Sequence, residues 1–163
     1  MSSRRKFVKN TVLGSLGLTL ISSAKSYSRI LGSNDRVNVA VMGTNSRGHA
    51  LTKVFIESEN VNISYICDVD SNVVDKTVAM THENQGSKPK GEKDIRKVLE
   101  SPEVDLLVIA APDHWHAPAT IMALQAGKHV YVEKPCGHNA REGELLVAAQ
   151  KKYGKVVQMG NQQ

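Results

Sequence analysis

The chain has 163 residues, 40% of them apolar and 23% charged, a length that allows one sizeable core and a composition ordinary for a soluble globular domain. These figures exclude a collagen, a long disordered chain and a multi-span membrane protein, and an aromatic share of 4% makes the core aliphatic. The formal net charge of +5 is local: six of the 21 basic residues lie in residues 1–31, which hold no acid, and the remainder is 15 basic against 16 acidic, so nothing calls for a nucleic-acid partner.

Residues 1–32 read as an address and a linker. Ser3-Arg4-Arg5-Lys6-Phe7-Val8-Lys9 precedes an apolar run from Thr11 to Ile21, and Ser22, Ser23 and Ala24 follow. A charged start, an apolar middle and a small-residue end make a secretory signal. The run is about eleven residues, too short to cross a bilayer as a helix. The paired arginines resemble the twin-arginine signal, which delivers folded proteins to the export machinery. The expected location is therefore periplasmic or exported, with cleavage between Ala24 and Ser33.

From Arg36 onward strands and helices alternate. Arg36–Met42 is a valine-rich buried strand ending at Gly43. Arg47–Ser58 has helical spacing, with Ala50, Leu51, Val54 and Phe55 expected inward. Val61–Cys67 is a second strand, and Asn72–His82 a second helix. A weak third strand sits within Ser87–Lys93, followed by a short helix from Ile95 to Glu100. Val104–Ala111 is the clearest buried strand. Helix Pro118–Ala126 leads to strand His129–Val132, and helix Asn139–Tyr153 to strand Val156–Met159. No internal repeat interrupts this order. The pattern predicts an α/β fold, a Rossmann-like doubly wound parallel sheet of about six strands with helices on both faces, over residues 33–163. Cys67 and Cys136 fall after strands three steps apart in such a sheet, too far to bridge, so both are expected as free thiols.

Gly43-Thr44-Asn45-Ser46-Arg47-Gly48 joins the first strand to the first helix. It keeps the first and third glycines of the G-x-G-x-x-G dinucleotide fingerprint and places Asn45 at the second. Asparagine tolerates positive φ better than most residues, so the turn survives there. Amides at the helix start, with the helix dipole behind them, attract a diphosphate. Asp68 ends the second strand about 20 residues on, the spacing of the acid that hydrogen-bonds an adenosine ribose. Its carboxylate repels a 2′-phosphate and favours NAD, whereas the Arg47 guanidinium can grip phosphate and keeps NADP possible.

A second cluster follows the central strand: Ala111-Pro112-Asp113-His114-Trp115-His116, then Ala126-Gly127-Lys128-His129, then Glu133-Lys134-Pro135, and finally Gly160-Asn161-Gln162-Gln163. In this order and spacing the set closely resembles the Gfo/Idh/MocA oxidoreductases, over nearly all of the chain from Arg36. The resemblance implies that Lys134 is the catalytic lysine beside nicotinamide and substrate hydroxyl. There its ammonium polarises the reacting oxygen, and burial would tune it. It implies that Glu133 contacts the nicotinamide-side ribose, that Pro112 and Asp113 lie under the cofactor, and that Gln162 belongs to the cofactor-binding set. It makes His116 a structural or cofactor-side residue rather than an acid or base. His114 and His116 are two apart with no third ligand in register, so no metal is expected.

Members of that family continue into a second α/β domain, which supplies the substrate pocket, the remaining acid/base group and usually the oligomer contact. The expectation is that this chain, ending at Gln163, lacks that domain and alone binds NAD without turnover. Three readings follow: the cofactor domain of an enzyme moving hydride between a sugar or polyol carbinol and nicotinamide; an NAD-dependent glycoside hydrolase; or a non-catalytic nucleotide-binding fragment. Lys134 argues for the first.

Overall fold

A computed structural model describes residues 36–161; the segment expected to be a leader (residues 1–32), residues 33–35, Gln162 and Gln163 lie outside the described residues. Six strands form one parallel sheet: β1 (Val37–Met42), β2 (Val61–Cys67), β3 (Lys90–Glu92), β4 (Leu106–Ile109), β5 (His129–Glu133) and β6 (Val157–Gly160). Their spatial order is β3-β2-β1-β4-β5-β6. Five helices connect them: α1 (Ser46–Glu57), α2 (Ser71–Gln85), α3 (Ile95–Leu99), α4 (His116–Gln125) and α5 (Ala140–Tyr153), with one 3-10 turn at Asp113–Trp115.

The valine-rich runs become the middle of the sheet because both of their faces are covered. Val39, Ala40 and Val41 of β1, and Leu107, Val108 and Ile109 of β4, are fully buried. Alternation along β1 sends Ala40 to one side and Val39 and Val41 to the other. Ala40 joins a core with Val98 of α3, Ala123 and Leu124 of α4, and Ala149 of α5. Val39 and Val41 join Leu51 of α1 and Val74 and Val78 of α2. Each fully buried Val, Leu or Ile side chain contributes about 1.5–3 kcal/mol by leaving water, so the two layers hold the sheet from both sides.

The helix caps follow the sequence. Asp70 caps α2 through the Asn72 amide at 2.9 Å, Asp94 caps α3 through the Arg96 amide at 3.0 Å, and Asn139 caps α5 through the Glu142 amide at 3.0 Å. Each satisfies an amide that the helix itself leaves open. Arg96 also chelates Asp94, and these bonds hold the Asp94 carboxyl down at about 2.

The inward face of α1 differs from the expectation. Gly48, Leu51 and Thr52 are buried, whereas Ala50 is exposed and Val54 is 59% exposed. The cause is Gly48, which sits so close to the Gly43 carbonyl that it sets the helix's rotation. The face then runs through residues 48, 51, 52 and 55, and the Thr52 hydroxyl returns a 2.7 Å bond to the Gly48 carbonyl.

Cys67 ends β2 and Cys136 follows β5, three strands away, and both are free thiols. Burial, and then the nearby Glu92, Asp68 and Asp94 carboxylates, push the Cys67 thiol up to about 12. The fold therefore favours its protonated form. That contribution to stability is complete below the ordinary thiol range and is lost as pH rises toward 12. A thiol reagent at pH 8 is expected to label Cys136 in the native chain and Cys67 only after unfolding. Equal labelling rates for the two would contradict this burial.

Candidate dinucleotide site

The sheet order reverses between β1 and β4: the chain runs outward from β1 to β2 and β3, then returns to place β4 on β1's other side. In open parallel sheets ligands bind beyond the carboxyl ends at that reversal. The glycine turn lies there. Gly43 has φ +79°, and a β-carbon on it would stand 2.5 Å from the Ala111 nitrogen. The turn after β1 thus touches the loop after β4, and only a glycine permits the contact.

The turn departs from one expectation. Asn45 has φ −79° and caps α1, its side chain accepting from the Ser46 amide at 3.0 Å. The positive φ falls on Ser46, at +30°. The second fingerprint position is therefore filled by a cap: Asn45 supplies an acceptor for a helix-start amide, which a glycine cannot do.

Asp68 lies beside this turn at the end of β2. Its Oδ2 accepts from the Thr44 amide at 2.8 Å and its Oδ1 from the Asp70 amide at 3.1 Å. The carboxylate is thus held by backbone on both oxygens and remains partly accessible at the cleft. The Thr44 hydroxyl is buried without a partner, an unusual cost in a folded interior. A cleft of about 660 Å³ opens here, lined by Gly43, Asp68, Val69, Pro112 and Trp115, and by Lys93 to Arg96 at the start of α3. Its size suits a small-molecule cofactor.

On the other side of the turn, Glu133 ends β5. It is 4% exposed, and its Oε1 takes the Arg47 Nε at 2.9 Å and Nη2 at 2.8 Å. Arg47, expected on phosphate, thus reaches across β4 to a carboxylate 86 residues away. Lys134 follows and is exposed, and the Lys134–Pro135 peptide is cis. His116 is 2% exposed. Its Nε2 faces the Ala111 carbonyl at 2.8 Å, and its Nδ1 faces the Pro135 carbonyl. A neutral imidazole donates from one nitrogen only, so the ring ties the β4 loop to the β5 loop by position as much as by bonding. Pro112 and Asp113 lead into the 3-10 turn and are exposed.

The predicted residues are therefore linked along the carboxyl edge of the sheet: Asp68 to Thr44, Gly43 to Ala111, His116 to both loops, and Glu133 to Arg47. Lys128 and His129 of the second cluster stand apart from it. The Lys128 ammonium is buried and donates to the Ser101 carbonyl at 2.7 Å, and His129 Nδ1 accepts from the Val156 amide at 3.1 Å. Both join sheet to loop. Val69 and Lys93 to Arg96 also line the cleft, though no motif in the sequence marks them as site residues. Among the described residues no group of His, Cys, Asp and Glu could hold a metal ion.

The arrangement fits a dinucleotide. Two glycines form a cradle that side chains would fill, an unpartnered hydroxyl lies in the turn, and the Asp68 carboxylate stands beside it at the end of β2. Residues 37–161 match the model of the oxidoreductase family with NAD-binding Rossmann fold, Gfo/Idh/MocA, and the chain belongs to that family. It is the family's NAD-binding Rossmann domain. A glycosyl hydrolase family 109 protein of Saccharopolyspora erythraea is 31% identical over 133 residues, covering 78% of this chain and 29% of that protein. An alpha-N-acetylgalactosaminidase of Shewanella oneidensis is 28% identical over 77% of this chain and 28% of its own length. Among solved structures, GenD2 from gentamicin A biosynthesis, in complex with NAD, superposes with a TM-score of 0.71 at 25% identity, covering 77% of this chain and 34% of GenD2. The chain thus spans about a third or less of the relatives it matches.

Proposed function

We propose that this domain serves an enzyme that moves hydride between a sugar or polyol carbinol and nicotinamide. The observation that carries the reading is the placement of Asp68 and the Glu133–Lys134 pair on opposite sides of one glycine turn, at the carboxyl edge of the sheet. Asp68 is set to take an adenosine ribose, and the turn and the α1 start to take the diphosphate. That leaves the nicotinamide half over β4 and β5, where Lys134 projects from the loop. NAD, when bound, supplies the hydride acceptor. Lys134 would polarise the carbinol oxygen with its ammonium and help its proton leave. His116, between the Ala111 and Pro135 carbonyls, keeps the two loops that frame this region together.

A second reading rests on the curated relatives, two of which are named as a glycosyl hydrolase family 109 protein and an alpha-N-acetylgalactosaminidase. In it the bound NAD assists sugar cleavage with no net redox change. The test is one incubation, with NAD, sugars, polyols and a chromogenic N-acetylgalactosaminide, of the domain together with the family's second domain, because the domain alone is expected to bind NAD without turnover. Accumulating NADH supports the first reading. Chromophore release without NADH supports the second. Binding with neither supports a nucleotide-binding module without chemistry of its own.

Residues 1–32 support export of the folded protein after it has bound its cofactor. Fused to a reporter, they are expected to carry it across the inner membrane in a folded state. Replacing Arg4 and Arg5 by lysine is expected to abolish that transfer. Unchanged transfer after the replacement would contradict a twin-arginine route.

A further inference from the structure

Arg47 and Glu133 form the longest-range ion pair of the site. Arg47 stands in the first turn of α1, directly after the glycine turn; Glu133 stands two strands away at the end of β5. Their exposures are unequal. The guanidinium side chain is 41% exposed and the carboxylate 6%. A carboxylate so far removed from water is costly unless a cation stays beside it. The guanidinium approaches through two nitrogens, Nε and Nη2, which both meet Oε1. Both contacts converge on Oε1 and hold that oxygen against the guanidinium at the end of β5. On the far side β6 closes in: a β-carbon at Gly160 would stand 3.0 Å from the same Oε1 and 2.5 Å from the Tyr131 hydroxyl. Glu133 is therefore held between Arg47 on one side and bare backbone on the other.

We propose that Arg47 is a positioning residue for the nicotinamide half of the cofactor and not a phosphate ligand: it holds the Glu133 carboxylate in place at the carboxyl edge. The proposal rests on the dinucleotide lying across that edge as described above. It follows that the Arg47 and Glu133 contributions belong together, and that they concern the part of the ligand over β4 and β5. A phosphate-gripping arginine would instead act on every nucleotide carrying a diphosphate.

The two roles separate in a comparison of NAD with ADP, which shares the adenosine and diphosphate but has no nicotinamide riboside. Binding of both is measured calorimetrically on the 163-residue chain and on Arg47→Met, Arg47→Lys, Glu133→Gln and the Arg47→Met/Glu133→Gln pair, with melting followed for each. In Arg47→Met, NAD affinity is expected to fall at least tenfold further than ADP affinity, and Arg47→Lys to recover part of the difference. In the Glu133→Gln background, adding Arg47→Met is expected to cost less than a third of what it costs in the wild-type chain. Should Arg47→Met fail to fold, the paired variant lacks the stranded carboxylate, and Gly160→Ala reaches Glu133 from β6 without changing any charge. Gly160→Ala should again weaken NAD more than ADP. Equal losses of NAD and ADP in these variants, or full additivity of the Arg47 and Glu133 substitutions, would overturn the positioning role while leaving the dinucleotide site intact. A folded wild-type chain that binds neither ligand would overturn both.

Discussion

Gly48→Ala is expected to destabilise the domain by about 3 kcal/mol or more, at the top of the range for overpacked interiors. A β-carbon at residue 48 would stand 1.7 Å from the Gly43 carbonyl oxygen and 2.8 Å from its carbon. Both are backbone atoms, so no side chain can swing aside. Either α1 lifts from the sheet or the end of β1 bends. Both movements open the glycine turn, so NAD affinity should fall together with stability. The control lies in the same chain. Gly143, within α5, has nothing within 4 Å of the added carbon, and alanine there is expected to stabilise by about 0.5–1 kcal/mol through helix propensity. Urea midpoints for the two variants should move in opposite directions. A Gly48→Ala chain as stable as the wild type would show that the strand and helix do not meet as described.

The second large effect is at Asp68. Both of its oxygens accept from backbone amides, Thr44 on one side and Asp70 on the other. Asparagine keeps one acceptor and turns the other into an NH2 group facing an N–H. Hydrogen bonds to a charged group contribute about 1.5–3 kcal/mol each, so Asp68→Asn should weaken NAD roughly tenfold to a hundredfold. NADP should lose less, because the charge that repels its 2′-phosphate is gone. The ratio of the two affinities, measured in one buffer, is the readout. An unchanged ratio would remove Asp68 from the ribose site.

The sequence makes the inner part of this fold legible because burial on both faces writes itself as an unbroken apolar run. β1, β2 and β4 are readable for that reason. β3 is three residues at an edge, Lys-Gly-Glu, with no apolar pattern to mark it. The orientation of α1 was misread because periodicity counts apolar residues, whereas Gly48 and Thr52 hold the inward face through close approach and a back-bond. The site was legible wherever its chemistry is local: the glycine turn, the acid after β2 and the loop before His116. It was not legible where it depends on pairing across the sheet. Nothing in the chain order says that Arg47 meets Glu133, or that Thr44 donates to Asp68. Those contacts follow from β4 inserting beside β1, which brings residues far apart in sequence to one edge. The side of the cleft at Lys93 to Arg96 also appears only once α3 is folded against the end of β2.

The central claim is that a dinucleotide lies across the carboxyl edge of β2, β1, β4 and β5, with its diphosphate on the turn at residues 43–48. The most direct measurement is an NAD titration of the isotopically labelled chain followed by amide resonances. The account predicts saturable shifts at Gly43 to Gly48, at Asp68 and Val69, around Ala111 to Asp113 and at Glu133 to Lys134, with Ser101 and Lys128 unmoved. Saturable shifts confined to other surfaces, or a folded spectrum that does not respond to NAD, would contradict it.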